Sequence, residues 1–393
     1  MFLLSSQNAT EYLVKQHLFK LQEIEQSQVE PKVAKNFNLL LSLPDGRRLL
    51  VKQERYNSQG KTAGEFIHEW RIQELINRFP ELSSLRAHLP EILHFNPEDA
   101  ILVFNYLNDY RDLADFYAKE TVFAPEIAAT IGRVLATLHG KTFERQDYQD
   151  YFNQNLASTY AAHSFVHGLE RISPEIFASV PADGLKFYTL YQRYDSLGKT
   201  IANLISTLNP CCLIHNDLKL NNILLQLEWE QTLAKPEHSD PGIVRFIDWE
   251  RCCWGDPALD LGTVIASYLQ LWLSSLIVSK TIQIEESLRL AMIPLEQLQP
   301  SIAALVQAYL QSFPTILQYD PNFLHRIVQF AGLALIQQIQ AMIQHQKTFG
   351  NTGICMLQVA KSLLCRPAAS ISTVFGLSES DLIDRVAQFN LAY

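Results

Sequence analysis

The chain has 393 residues, 48% hydrophobic and 19% charged, which supplies enough apolar side chain for a large core and excludes a disordered segment. The formal charge is −9, with Lys and Arg scattered singly. That pattern argues against nucleic acid or an anionic membrane as a partner, because both select for a clustered basic face.

The opening "MFLLSSQNATEY" has no basic segment, and its apolar run is too short for a secretory signal, so the expected location is cytoplasmic. Residues 9–19 have the spacing of a short amphipathic helix. In "FNLLLSLPDGRRLLVKQE", two apolar runs flank Pro44-Asp45-Gly46, the signature of a hairpin. Residues 63–78 place Phe66, Ile67, Trp70, Ile72, Leu75 and Ile76 at helical spacing, and "AILVFNYL" at 100–107 reads as a strand. Residues 1–106 therefore form a small sheet lobe carrying one main helix.

From residue 107 to 393 the pattern is mainly helical, beginning with "EIAATIGRVLATLH" at 126–139. Two strand-like runs interrupt it, "NILLQL" (222–227) and "IVRFIDW" (243–249), joined by a polar connection at 228–242. The uncharged stretch 261–279 is long enough to span a bilayer. Its interspersed Gly, Thr, Ser and Gln residues, and Asp260 at its start, make it a buried helix instead. The C-terminal third returns to helix, as in "RIVQFAGLALIQQIQAMIQHQ". Six cysteines without C-x-x-C spacing are read as buried thiols.

The chemistry concentrates in "HNDLKLNNIL" (215–224). Phosphoryl transfer needs a carboxylate to position the acceptor hydroxyl, oxygen ligands for Mg²⁺ and a cation on the phosphates. Asp217 supplies the carboxylate, Asn222 follows five positions later on the same loop, and Asp248 ends the next strand, where it can ligate magnesium. His215 is expected to organise the loop. A metal-dependent phosphohydrolase could also use a His-Asp pair, but the 11 histidines form no cluster at ligand spacing.

Taken in order, "HNDLKLNNIL", "FIDWE" and "GDPALDLG" (255–262) resemble the aminoglycoside phosphotransferase and choline kinase family. The resemblance implies an α+β, bilobal, protein-kinase-like fold that uses ATP and Mg²⁺. In it Asp217 is the catalytic base, Asn222 and Asp248 are metal ligands, and Asp260 braces the catalytic loop from the following helix. It further implies that Lys52 lies on the ATP phosphates with Glu69 as its partner, and that backbone near Asn105 and Tyr106 meets adenine. The lysine of "DLK", Lys219, stands where Ser/Thr protein kinases reach the transferred phosphate, although "DWE" replaces D-F-G. No glycine-rich phosphate loop is recognisable; Asn36 and Asn38 lie where it belongs. The implied partners are a nucleotide and a hydroxyl-bearing small molecule. One alternative acceptor is a Ser/Thr-bearing ribosomal peptide with its modifying enzymes; another alternative is a pseudokinase scaffold without turnover.

Overall fold

The computed structural model describes residues 2–18, 20, 27–154, 169, 180–234, 242–277, 282 and 284–384. In chain order the first elements are α1 (Ala9–Lys15), β1 (Gln28–Lys32), β2 (Phe37–Ser42), β3 (Arg48–Gln53), α2 (Phe66–Arg78), β4 (Ile92–Asn96), β5 (Ile101–Asn105) and β6 (Tyr110–Asp112). Helices α3 (Leu113–Glu120), α4 (Pro125–Thr142), α5 (Gln146–Asn153), α6 (Ala182–Gln192) and α7 (Asp195–Ser206) follow. Next come β7 (Cys212–Ile214), β8 (Ile223–Gln226), α8 (Trp229–Leu233), β9 (Val244–Phe246), β10 (Cys253–Gly255) and α9 (Ala258–Ser274). The chain then runs through α10 (Ile284–Arg289), α11 (Leu295–Ser312), α12 (Thr315–Tyr319), α13 (Phe323–Gln346), α14 (Asn351–Cys365) and α15 (Pro367–Phe375).

Two compact units result, neither continuous in sequence: residues 1–112, 150–158 and 222–252 in one, and 113–149, 159–221 and 253–393 in the other. The first is built on a five-stranded antiparallel sheet ordered β1-β2-β3-β5-β4. Its alternation is the two-residue period of extended chain. Leu39, Leu41, Leu49, Val51, Ile101 and Val103 form one buried face under Tyr12 and Leu13 of α1. Leu102 and Phe104 form the other with Phe66 of α2, and Leu50 and Trp70 pack against them. The sheet thus carries a helix on each face, α1 and α2, both where the sequence showed helical spacing. The hairpin turns at Gly46, whose φ of +86° is open to glycine at no steric cost. A smaller sheet, β6-β8-β9, completes this unit.

The second unit is mostly helical, with α4 against α11, α9 against α13, and α13 against α14. Gly132 of α4 allows a close approach there: a Cβ at this position would run into the Leu305 carbonyl oxygen. The apolar stretch expected as a buried helix is α9, and twelve of its residues are buried, Asp260 included. Residues 278 and 279 of that stretch, and 235–241 of the polar connection, lie outside the described residues. Among the described residues, α13 is long and apolar enough to cross a membrane, and 67% of its apolar window is buried in the protein. The α+β class expected from sequence is what the structure shows: an antiparallel sheet near the N-terminus and a largely helical remainder.

Candidate active site

Lys52 is near the end of β3, opposite Asn38 of β2 and Leu102 of β5. It shares its sheet face with Leu50, so the alternation that buries Val51 on the α1 side directs Lys52 to the α2 side. The start of α2 is fixed from that strand as well: Glu54 accepts hydrogen bonds from the N–H groups of Gly64 (2.7 Å) and Phe66 (2.6 Å). Glu69, on the first turn of α2, thereby stands 3.9 Å from Lys52 Nζ, and Asp248 Oδ1 stands 2.5 Å from it.

Burial opposes charge on Lys52, yet the Glu69 and Asp248 carboxylates overcome it and hold the ammonium above its ordinary range. Burial pushes the Glu69 carboxyl up to about 7, against the pull of Lys52, and the neighbouring charges of Asp248 and Glu250 push the same way. Asp248 has a left-handed backbone, φ +64°. That conformation is uncommon outside glycine but accessible to Asp, and it recurs at functional positions. The Asp248 side chain keeps 43% of its surface exposed. Asn222, buried, gives its carbonyl to the Ile247 N–H (2.9 Å), tying the loop to the strand end that carries Asp248.

These side chains border a cavity of about 310 Å³, lined by Lys52, Glu69 and Asp248, by Phe104, Asn105, Tyr106 and Leu107, and by Leu224 and Ile247 as apolar walls; Lys52 Nζ lies 5.0 Å from the centre of the Phe104 ring. That volume falls at the small end of the range for ligand pockets, roughly 300–1,000 Å³. Asn105 and Tyr106 line the cavity, but their N–H groups are committed elsewhere: Asn105 donates to Glu91 (3.0 Å) and Tyr106 to Arg48 (2.8 Å). The next residue, Leu107, also lines the cavity, and among the described residues its N–H makes no backbone hydrogen bond. Sequence reasoning passed over Leu107 because a leucine at a strand end carries no polar signal.

The other unit holds Asp217. Lys219 Nζ is 2.7 Å from Asp217 Oδ1. The loop is pinned from α9: Asp260 accepts the N–H groups of His215 (2.7 Å) and Asn216 (2.8 Å). Asn216 is held at φ +64°, immediately before Asp217. Asp260 is fully buried, and a third donor completes its shell, His139 Nε2 at 3.2 Å; His139 Nδ1 in turn is 3.0 Å from the Tyr309 hydroxyl. Burial raises the Asp260 carboxyl, but the bond and charge of His139 and the nearby His215 hold it below its ordinary value. Neither His139 nor Tyr309 was assigned a role from sequence. They lie 121 and 49 positions from Asp260, and no local pattern links them.

Residues 38–283 match the profile of the phosphotransferase enzyme family. The chain belongs to this family. The motif resemblance noted in the sequence is therefore borne out. A curated relative, the 4-hydroxytryptamine kinase of Psilocybe cyanescens, is 26% identical over 186 residues, covering 46% of this chain and 46% of that protein. The match thus spans about half the length of that relative. Among solved structures, an ethanolamine kinase from Plasmodium vivax is similar with a TM-score of 0.56 at 14% identity, over 91% of this chain and 88% of that one. A choline/ethanolamine kinase family protein from Mesorhizobium loti gives 0.48 at 14%, over 89% and 93%. At such identity the first likeness speaks for the fold.

Proposed function

We propose that the protein is an ATP- and Mg²⁺-dependent kinase that moves the terminal phosphate onto a hydroxyl group of a small molecule. The observation that carries this reading is Lys52, a buried ammonium between Glu69 and Asp248 on the wall of a ligand-sized cavity. Adenine lies against the Asn105–Leu107 backbone, accepting from the Leu107 N–H and donating to the Asn105 carbonyl, with Leu224 and Ile247 around its faces. Lys52 then lies on the phosphates.

Asp248 and Asn222 are the residues that would hold Mg²⁺. Both offer hard oxygen donors. Among the described residues no group of three His, Cys, Asp or Glu side chains forms a self-sufficient metal cage. The donor set therefore fits an ion that draws its remaining oxygens from phosphates and water. Held by these two residues, the ion would supply positive charge to offset the charge that develops on the phosphates.

Asp217 receives the proton of the acceptor hydroxyl as its oxygen bonds to the γ-phosphorus and the bond to the bridging oxygen of ADP breaks. Lys219, 2.7 Å away, orients that carboxylate and offers a positive charge to the phosphoryl group in transit. Asp260 holds the loop through His215 and Asn216, a positioning role. A small acceptor is supported by the family match and by the curated relative, which is named a 4-hydroxytryptamine kinase. A cytoplasmic location, where ATP is supplied, accords with the reading.

The test is melting temperature with and without Mg-ATP, followed by turnover on a panel of hydroxylated amines, amino sugars and simple alcohols. Nucleotide at a hundred times its dissociation constant stabilises by about 2.7 kcal/mol, a shift of several degrees. No shift at millimolar nucleotide together with no turnover overturns the proposal and leaves a scaffold.

A further inference from the structure

A kinase lacking a glycine-rich loop must cover the nucleotide phosphates by other means. The connection at the corresponding place is residues 33–36, between β1 and β2. Its Lys35 is ion-paired with Glu65, just ahead of α2, and its Nζ is 2.8 Å from Glu250 Oε1. Asn36 Nδ2 donates to the other oxygen of Glu250 at 3.2 Å. Glu250 is two residues beyond Asp248. Three residues after Lys35 comes Asn38, which faces Lys52 across the sheet and lines the cavity. Lys35 thus lies in the turn that joins β1 to the strand bearing Asn38.

The exposures differ in a telling way. The two carboxylates are nearly buried, with side chains 9% and 11% exposed, whereas the Lys35 side chain is 54% exposed. A lysine is a compact charge on a flexible stem that can change partners. A polyphosphate offers it more negative charge than either carboxylate.

We propose that Lys35 is a second phosphate ligand of the nucleotide, parked on Glu65 and Glu250 and transferred to the β- and γ-phosphates when ATP enters. Side-chain charge thereby does what backbone N–H groups do in a glycine-rich loop. The inference rests on the reading of the cavity as an ATP site.

Calorimetric titration of wild type, Lys35→Ala and Lys35→Arg with Mg-ATP, Mg-ADP and adenosine tests it. Loss of one charge-assisted contact should weaken ATP binding by on the order of tenfold, weaken ADP less, and leave adenosine unchanged; arginine should restore most of the ATP affinity. Adenosine binding also reports whether each variant is folded. An equal loss for all three ligands, or no loss for any, overturns the assignment of Lys35 while the ATP site stands. A wild type that binds none of them overturns both.

Discussion

Glu69 is the side chain whose surroundings conflict most with its ordinary charge. It is buried beside one lysine and within the field of two further carboxylates, and its carboxyl is raised from 4.5 to about 7. The folded value lies above the unfolded one. Its contribution to stability is therefore fully present below about pH 4.5 and is lost as pH rises through about 7. Glu69→Gln keeps the shape and removes the titration. The stability advantage of wild type over this variant, from urea midpoints, should shrink steadily across that window and level off above it. An advantage that grows with pH contradicts a raised carboxyl. The charged residues of the site were legible because their spacing is itself the signal: a His-Asp pair, an Asn five positions on and a strand-end Asp. His139, Tyr309 and Lys35 were not, because each gains its role from a partner that only the fold brings near.

At the scale of elements, the long amphipathic helices and the hairpin around Gly46 stood out because their apolar residues repeat over several turns or over two full strands. Strand β1 did not, since "QVEPK" is an exposed edge bearing charges and a proline. Strands β7 and β10 have three residues each, too few for a period to show. Their sequence is distinguished by buried cysteines: Cys212 and Cys253 pack as small apolar residues, and burial pushes the Cys253 thiol up to about 12. The crossing of α4 and α11 gives the clearest structural prediction. Gly132→Ala would set a methyl group against the Leu305 carbonyl and force the helices apart. The expected cost is about 1–3 kcal/mol, read as a lowered melting temperature. An unchanged melting temperature would mean that the crossing has slack.

For the molecule as a whole, the chain passes from one compact unit to the other within the loop, between Asn221 and Asn222. The proposed base and the proposed metal ligand thus belong to different units yet share one short segment of backbone, and that is why a single motif was so informative. The acceptor was less legible, since the sequence of residues 280–393 carries no recognisable motif. The central claim is that Asp217 takes the proton from the acceptor hydroxyl while the nucleotide is held elsewhere. The most direct measurement follows labelled γ-phosphate from ATP onto the best acceptor from the small-molecule panel, for wild type and for Asp217→Asn, with ATP affinity measured on both. The account predicts that turnover in the variant falls by on the order of a hundredfold or more while ATP affinity holds. Transfer at the wild-type rate by Asp217→Asn would contradict it.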